Sequence, residues 1–183
     1  ITVYNDWLNT FPCPEGTVDK DAVQWYGLQP AERVLDQINI MPHFIQSTNF
    51  TPEWLSTFLT ALADEVECIR KNYFTDGSNI YVTQVQAVTT AGMLMPEFKN
   101  ATEWLNEGSL KISEQVTAQF LADGVQVELD PSYHIGVVND LYSIYKLAQL
   151  NNKLSLFPSN YTELLKKAAR FVVDIIYPNY TID

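Results

Sequence analysis

Cysteine and histidine are scarce, two of each in 183 residues, and that scarcity removes several chemistries at once. Cys13 and Cys68 make neither a CxxC pair nor a disulfide framework; they read as two unrelated thiols, with a single bridge as the alternative. His43 and His134 fall in no HExxH spacing, so no metal is expected, and His43 beside Pro42 reads as structural. There is no Gly-rich phosphate loop and no G-x-S-x-G nucleophile elbow, and no cofactor is expected. Basic residues are few as well: 11 Lys and Arg stand against 22 Asp and Glu, a net charge of −11. Duplex binding requires a basic face that displaces counterions from phosphates, and its absence excludes nucleic acid as the partner. No apolar run approaches the ~20 residues that span a bilayer, so membrane insertion is not expected. No signal peptide is visible. The start at Ile1 instead of Met fits processing or excision from something longer. Period-2 alternation of useful length, internal repeats and low-complexity tracts are missing too.

What is present is helical spacing. Residues 1–28, rich in turn formers and aromatics, read as an irregular lead-in, and residues 29–183 as one helical domain. From Pro30, the positions Val34, Leu35, Ile38, Met41 and Ile45 share a face, and Pro42 is expected to kink or end that helix. Thr51-Pro52 opens a second helix with the stripe Trp54, Leu55, Phe58, Leu59, Leu62, Val66 and Ile69, broken at Asp76-Gly77. A third starts near Asn79 and runs to about Met93. The fourth has Asn100 as cap and Glu103 three residues on, close to a capping box, and ends near Asp123-Gly124. Asp130-Pro131 is the clearest start in the chain and leads into Val137, Leu141, Ile144 and Ala148. The sixth begins around Pro158-Ser159. Short connections favour antiparallel neighbours, and three successive hairpins suit either a compact bundle or an arc of a helical toroid.

Two stretches carry polar groups at helix N-termini, where free N–H groups and the macrodipole favour negative charge. One is Asp76-Gly77-Ser78-Asn79; the other is DGVQVELDPSYH, from Asp123 to His134. Together with AGMLMPEFKNATEW between them, in that order, they resemble the N-terminal helical domain of heparinase II/III-type polysaccharide lyases. The resemblance covers roughly Gln29 to Leu156. It implies an all-α fold, antiparallel hairpins forming part of an incomplete (α/α) toroid, followed in the family by a β-sandwich domain that this chain lacks. Ile80 departs from the pattern, since family members often carry an aromatic residue or His directly after the Asn.

The resemblance further implies β-elimination across a glycosidic bond next to a uronic acid. An amide donor such as Asn79 would stabilise the enolate that develops when the proton alpha to the carboxylate leaves. Tyr133 would protonate the leaving oxygen and also take the alpha proton where both lie on one side of the ring. His134 would assist by orientation or charge, and Glu128 reads as structural, bonding to a neighbouring helix. Each has an ordinary reading: Asn79 as a turn residue, Tyr133 as a core aromatic in line with Val137 and Leu141, and His134 as a hydrogen-bonded histidine. Trp54 and Trp104 sit at core spacing and read as packing, whereas Trp25 and Tyr26, in the irregular segment, are the candidate sugar platform.

The expected partner is an anionic polysaccharide, a glycosaminoglycan or alginate-like chain. The acidic balance then requires a local field unlike the net charge, or basic residues from outside this chain. N-x-S/T sequons at Asn49, Asn100, Asn160 and Asn179 suit an exported protein, and a bacterial periplasm is the expected location. Two other functions remain open: a glycan-binding module without turnover, and a toroid-fold uronide hydrolase. The latter works with paired carboxylates, which are not evident here.

Overall fold

The chain was analysed as a computed structural model, which describes residues 2–179 and 181. Seven α-helices are found among those residues: α1 (Thr2–Thr10), α2 (Gln29–Phe44), α3 (Pro52–Lys71), α4 (Asn79–Leu94), α5 (Ala101–Ala118), α6 (Pro131–Leu150) and α7 (Tyr161–Ile175). A 3-10 turn, Leu154–Leu156, precedes α7. No strand occurs among the described residues beyond one isolated bridge between Phe120 and Gln126.

Local chemistry starts two helices as expected. Thr51 Oγ1 accepts from the Trp54 N–H at 3.2 Å, and Asp130 Oδ1 accepts from Ser132 and Tyr133 N–H at 2.8 and 3.1 Å. Pro42 lies inside α2, which continues only to Phe44. Both α3 and α5 stop ahead of the Asp-Gly pairs expected to break them. The capping box at Asn100 does not form. Asn100 Nδ2 instead donates to Glu67 Oε1 at 3.1 Å, and Glu103 pairs with Arg70. Tertiary partners thus outcompete the local cap.

The lead-in is not wholly irregular, because α1 occupies its first part. Tyr4 and Trp7, one turn apart, dock on rings from elsewhere: Tyr4 on Trp54 and Phe58, Trp7 on Trp25. With no residue of α1 fully buried, its apolar stripe is too short to stand out from the sequence. Cys13 and Cys68 are both free and share one apolar cluster, and the Cys13 thiol donates to the Asp64 carbonyl at 3.5 Å.

The successive hairpins form two layers, with α2, α4 and α6 in one and α3, α5 and α7 in the other. This is part of an incomplete (α/α) toroid. Helix α4 packs against α2, α3, α5 and α6, which is why it is buried almost all round. Its contact with α5 is close enough to exclude side chains. A Cβ on Gly92 would lie 2.8 Å from the Ala101 carbonyl, and one on Gly108 would lie 2.9 Å from Thr89 Cα. Two apolar clusters flank α4: Val82, Val85, Ile112, Val137 and Leu141 on one side, and Val34, Leu62, Val66, Val88 and Trp104 on the other.

Between the layers, buried charge is paired. Glu65, fully buried, accepts from Arg33 Nε at 3.2 Å and Gln37 Nε2 at 3.0 Å. Arg70 binds Glu67, Glu103 and Glu107, tying α3 to α5.

Candidate functional site: two helix mouths joined by one turn

Asn79 is the first residue of α4, and Tyr133 lies in the first turn of α6. The two N-termini are held together by the segment between α5 and α6. Glu128 Oε2 accepts the Asn79 N–H at 2.9 Å, across 49 residues of sequence, and also accepts from Gln126 Nε2 at 3.0 Å. Gln126 Nε2 reaches Gln119 Oε1 at 2.9 Å, and Gln119 Nε2 donates to the Gly77 carbonyl at 2.8 Å. Gly77 takes a φ of +80°, a conformation that favours glycine. Asn79 is partly exposed and Tyr133 is 47% exposed, so neither is locked in the interior. The structure therefore brings Asn79 and Tyr133 to the same end of neighbouring helices.

Glu128 bonds to a neighbouring helix, the role expected of it. Ser78, at the cap position of α4, makes no side-chain cap; its N–H donates to Asp76 Oδ1 at 3.0 Å, and Ser78 holds that carboxyl below its usual range. The first N–H of α4 is instead occupied by the Glu128 carboxylate.

Of the two readings of His134, the structure places it as a hydrogen-bonded histidine in the interior. It is 1% exposed, its Nδ1 accepts the Gln126 N–H at 3.1 Å, and its Nε2 lies 2.9 Å from the Ala168 carbonyl. The latter contact requires the proton on Nε2, leaving Nδ1 free to accept. Phe120 and Phe171 pack edge-on against the ring. A helix places successive residues about 100° apart, so with Tyr133 facing out, its successor faces the core. His134 anchors the turn to α7.

The proposed sugar platform lies apart from the two helix mouths, with Trp25 and Tyr26 lining one hollow. Trp25 is 5% exposed, with Arg33 at 4.8 Å over its ring and Trp7 beside it; it is a packing residue. Tyr26, 38% exposed, lies edge-on to Phe74 at 5.1 Å. It lines a 220 Å³ hollow with Gly27, Lys71 and Asn72, which does not include Asn79 or Tyr133. A larger apolar hollow of 610 Å³ lies between α1, α2 and α3, also away from both.

Residues that sequence reasoning missed are Gln119, Gln126, Thr83 and Asp140. Thr83, one turn into α4, donates to Asp140 Oδ2 of α6 at 2.7 Å. Burial pushes the Asp140 carboxyl up to about 6, against the lowering effect of the Thr83 hydroxyl and with Glu32 adding to the rise. Nothing in the order of residues distinguishes these buried and half-buried polar groups from surface ones. Among the described residues, no cluster of three or more His, Cys, Asp or Glu is arranged to hold a metal ion.

An arc of an (α/α) toroid with two linked helix mouths defines the class of domain. The family model described as the heparinase II/III N-terminus matches residues 1–183, and the chain belongs to that family. It is 43% identical over 182 residues to a heparin-sulfate lyase of Bacteroides thetaiotaomicron, covering 100% of this chain and 26% of that protein. A heparin-sulfate lyase of Bacteroides stercoris is 30% identical over 167 residues, covering 91% of this chain and 25% of the relative. Of solved structures, the crystal structure of a heparinase III superposes with a TM-score of 0.93 at 42% identity, over 98% of this chain and 27% of the other. The chain thus spans about a quarter of the length of these relatives.

Proposed function

We propose that this chain is the helical portion of a polysaccharide lyase that cleaves uronic-acid-containing glycans by β-elimination. The heparin-sulfate lyases among its relatives point to a heparan-sulfate-type glycosaminoglycan as the substrate class. The observation that carries the reading is the joining of Asn79 and the half-exposed Tyr133 at one end of α4 and α6.

The residue types suit the chemistry. Removing the proton alpha to a uronate carboxylate develops negative charge on the carboxylate oxygens, and the Asn79 amide donates a hydrogen bond to that charge. The Tyr133 phenol gives its proton to the departing glycosidic oxygen; as phenolate, it takes the alpha proton. The products are a new reducing end on the departing fragment and an unsaturated uronate on the other. His134, buried behind Tyr133, acts on the reaction only through position. The remaining three-quarters of the protein, in this reading, supplies a β-sandwich domain and the basic groups that an acidic chain does not.

The test uses the full-length protein and heparan sulfate, following the ultraviolet absorbance of the unsaturated product. Tyr133→Phe is expected to lower kcat by roughly 10²- to 10⁴-fold, the usual worth of a positioned acid or base. Retained turnover removes Tyr133 from the mechanism, and glycan binding without product marks a binding module instead.

A further inference from the structure

The tripeptide Glu128-Leu129-Asp130 does the same job twice. Glu128 accepts the first N–H of α4, and two residues later Asp130 accepts the Ser132 and Tyr133 N–H groups of α6. Leu129 between them has a φ of +59°, a conformation costly for a residue with a branched side chain, and its own side chain is exposed. Its strain therefore buries nothing; what it achieves is to turn two neighbouring acidic residues towards two different helices. The turn is braced from behind. Glu128 N–H donates to Gln126 Oε1 at 2.9 Å, Gln126 Nε2 donates to Glu128 and Gln119, and the Gln126 N–H is held by His134.

We infer that Glu128-Leu129-Asp130 is a double helix cap that sets the spacing between Asn79 and Tyr133, which makes Glu128 a positioning residue of the elimination. The inference rests on the function proposed above. Glu128 reaches no substrate through its bonded oxygen, which is occupied by Asn79 and Gln126. It acts by keeping the amide at the mouth of α4 in register with the phenol at the mouth of α6. Misplacement on the scale of 1 Å is enough to cost about 10²-fold in rate.

The requirement is for an oxygen at the right reach, which separates three variants of the full-length protein. Glu128→Gln keeps a carbonyl oxygen able to accept from both donors and is expected to retain kcat within a few-fold. Glu128→Asp keeps the charge but falls one methylene short, and Glu128→Ala removes the acceptor; both are expected to lose about 10- to 100-fold in kcat with KM little changed. Because Glu128 acts through Asn79, adding Glu128→Ala to Asn79→Ala should cost far less than it does alone. Activity is read at a temperature well below the unfolding midpoint of each variant, and Glu128→Asp carries the comparison if Glu128→Ala does not fold. The inference is overturned if Glu128→Asp matches wild type, if Glu128→Gln is as poor as Glu128→Ala, or if the two alanine effects multiply. Where Asn79→Ala and Tyr133→Phe abolish turnover but the Glu128 variants do not, only the double cap falls. Where Asn79→Ala and Tyr133→Phe stay active, the proposed function falls and the double cap falls with it.

Discussion

Burial holds the Asp140 carboxyl at about 6, above the ordinary ~3.9 of an aspartate. The folded state then binds this proton more tightly than the unfolded chain does. The stabilisation is complete below about pH 4 and is lost as pH rises through about 6. Asp140→Asn keeps an oxygen for the Thr83 hydroxyl and removes the ionisation. It is expected to raise stability by on the order of 1–2 kcal/mol near pH 7, with the gain fading towards pH 4. Thermal unfolding across that range checks it; a gain independent of pH would contradict the assignment. At the same scale, His134 illustrates what a motif conceals. The pair Tyr133-His134 is legible as a unit, but one helical step separates a half-exposed phenol from a ring that is sealed among Phe120, Phe171 and Ala168.

Between elements, the closest approach is α4 on α5, where Gly108 faces Thr89 and Gly92 faces Leu105. Neither glycine is needed for backbone conformation, as both sit in helices; they are needed for proximity. Gly108→Ala places a methyl group against the Thr89 backbone, which has nowhere to move within a fully packed α4. The expected loss is roughly 1–3 kcal/mol, the usual cost of overpacking, measured by denaturant unfolding. An unchanged midpoint would mean that the helices separate freely. Helix starts at Thr51 and Asp130 were readable because each cap closes within three residues. The start at Asn100 was readable as well, but its side chain was claimed by Glu67 on α3. Helix α1 was missed because its stripe is completed by Trp54, Phe58 and Trp25 from distant segments.

Over the whole molecule, which carries a net charge of −11, the three arginines are paired internally. Arg33 is committed to Glu65, Arg70 to Glu67, Glu103 and Glu107, and Arg170 to Asp174. They hold the layers together or lie along one helix, and a polyanionic glycan would have to break ion pairs to use them. Arg70→Ala leaves three carboxylates facing one another and is expected to destabilise by about 2–4 kcal/mol, discounted for partial exposure. It should leave the salt dependence of heparan sulfate binding by the full-length protein unchanged. A reduced slope would place Arg70 in contact with the glycan.

The order of residues determined by itself those features whose physical cause is local. These are the helical periodicity, the caps at Thr51 and Asp130, and the motif that brings Asn79 and Tyr133 to helix starts. Only the tertiary structure decided which polar groups face inward, and that a carboxylate 49 residues away would cap α4 in place of Ser78. The reason is reach: a side chain near a helix end senses its own turn, whereas the partner of Glu128, like that of His134, exists only once the layers have packed.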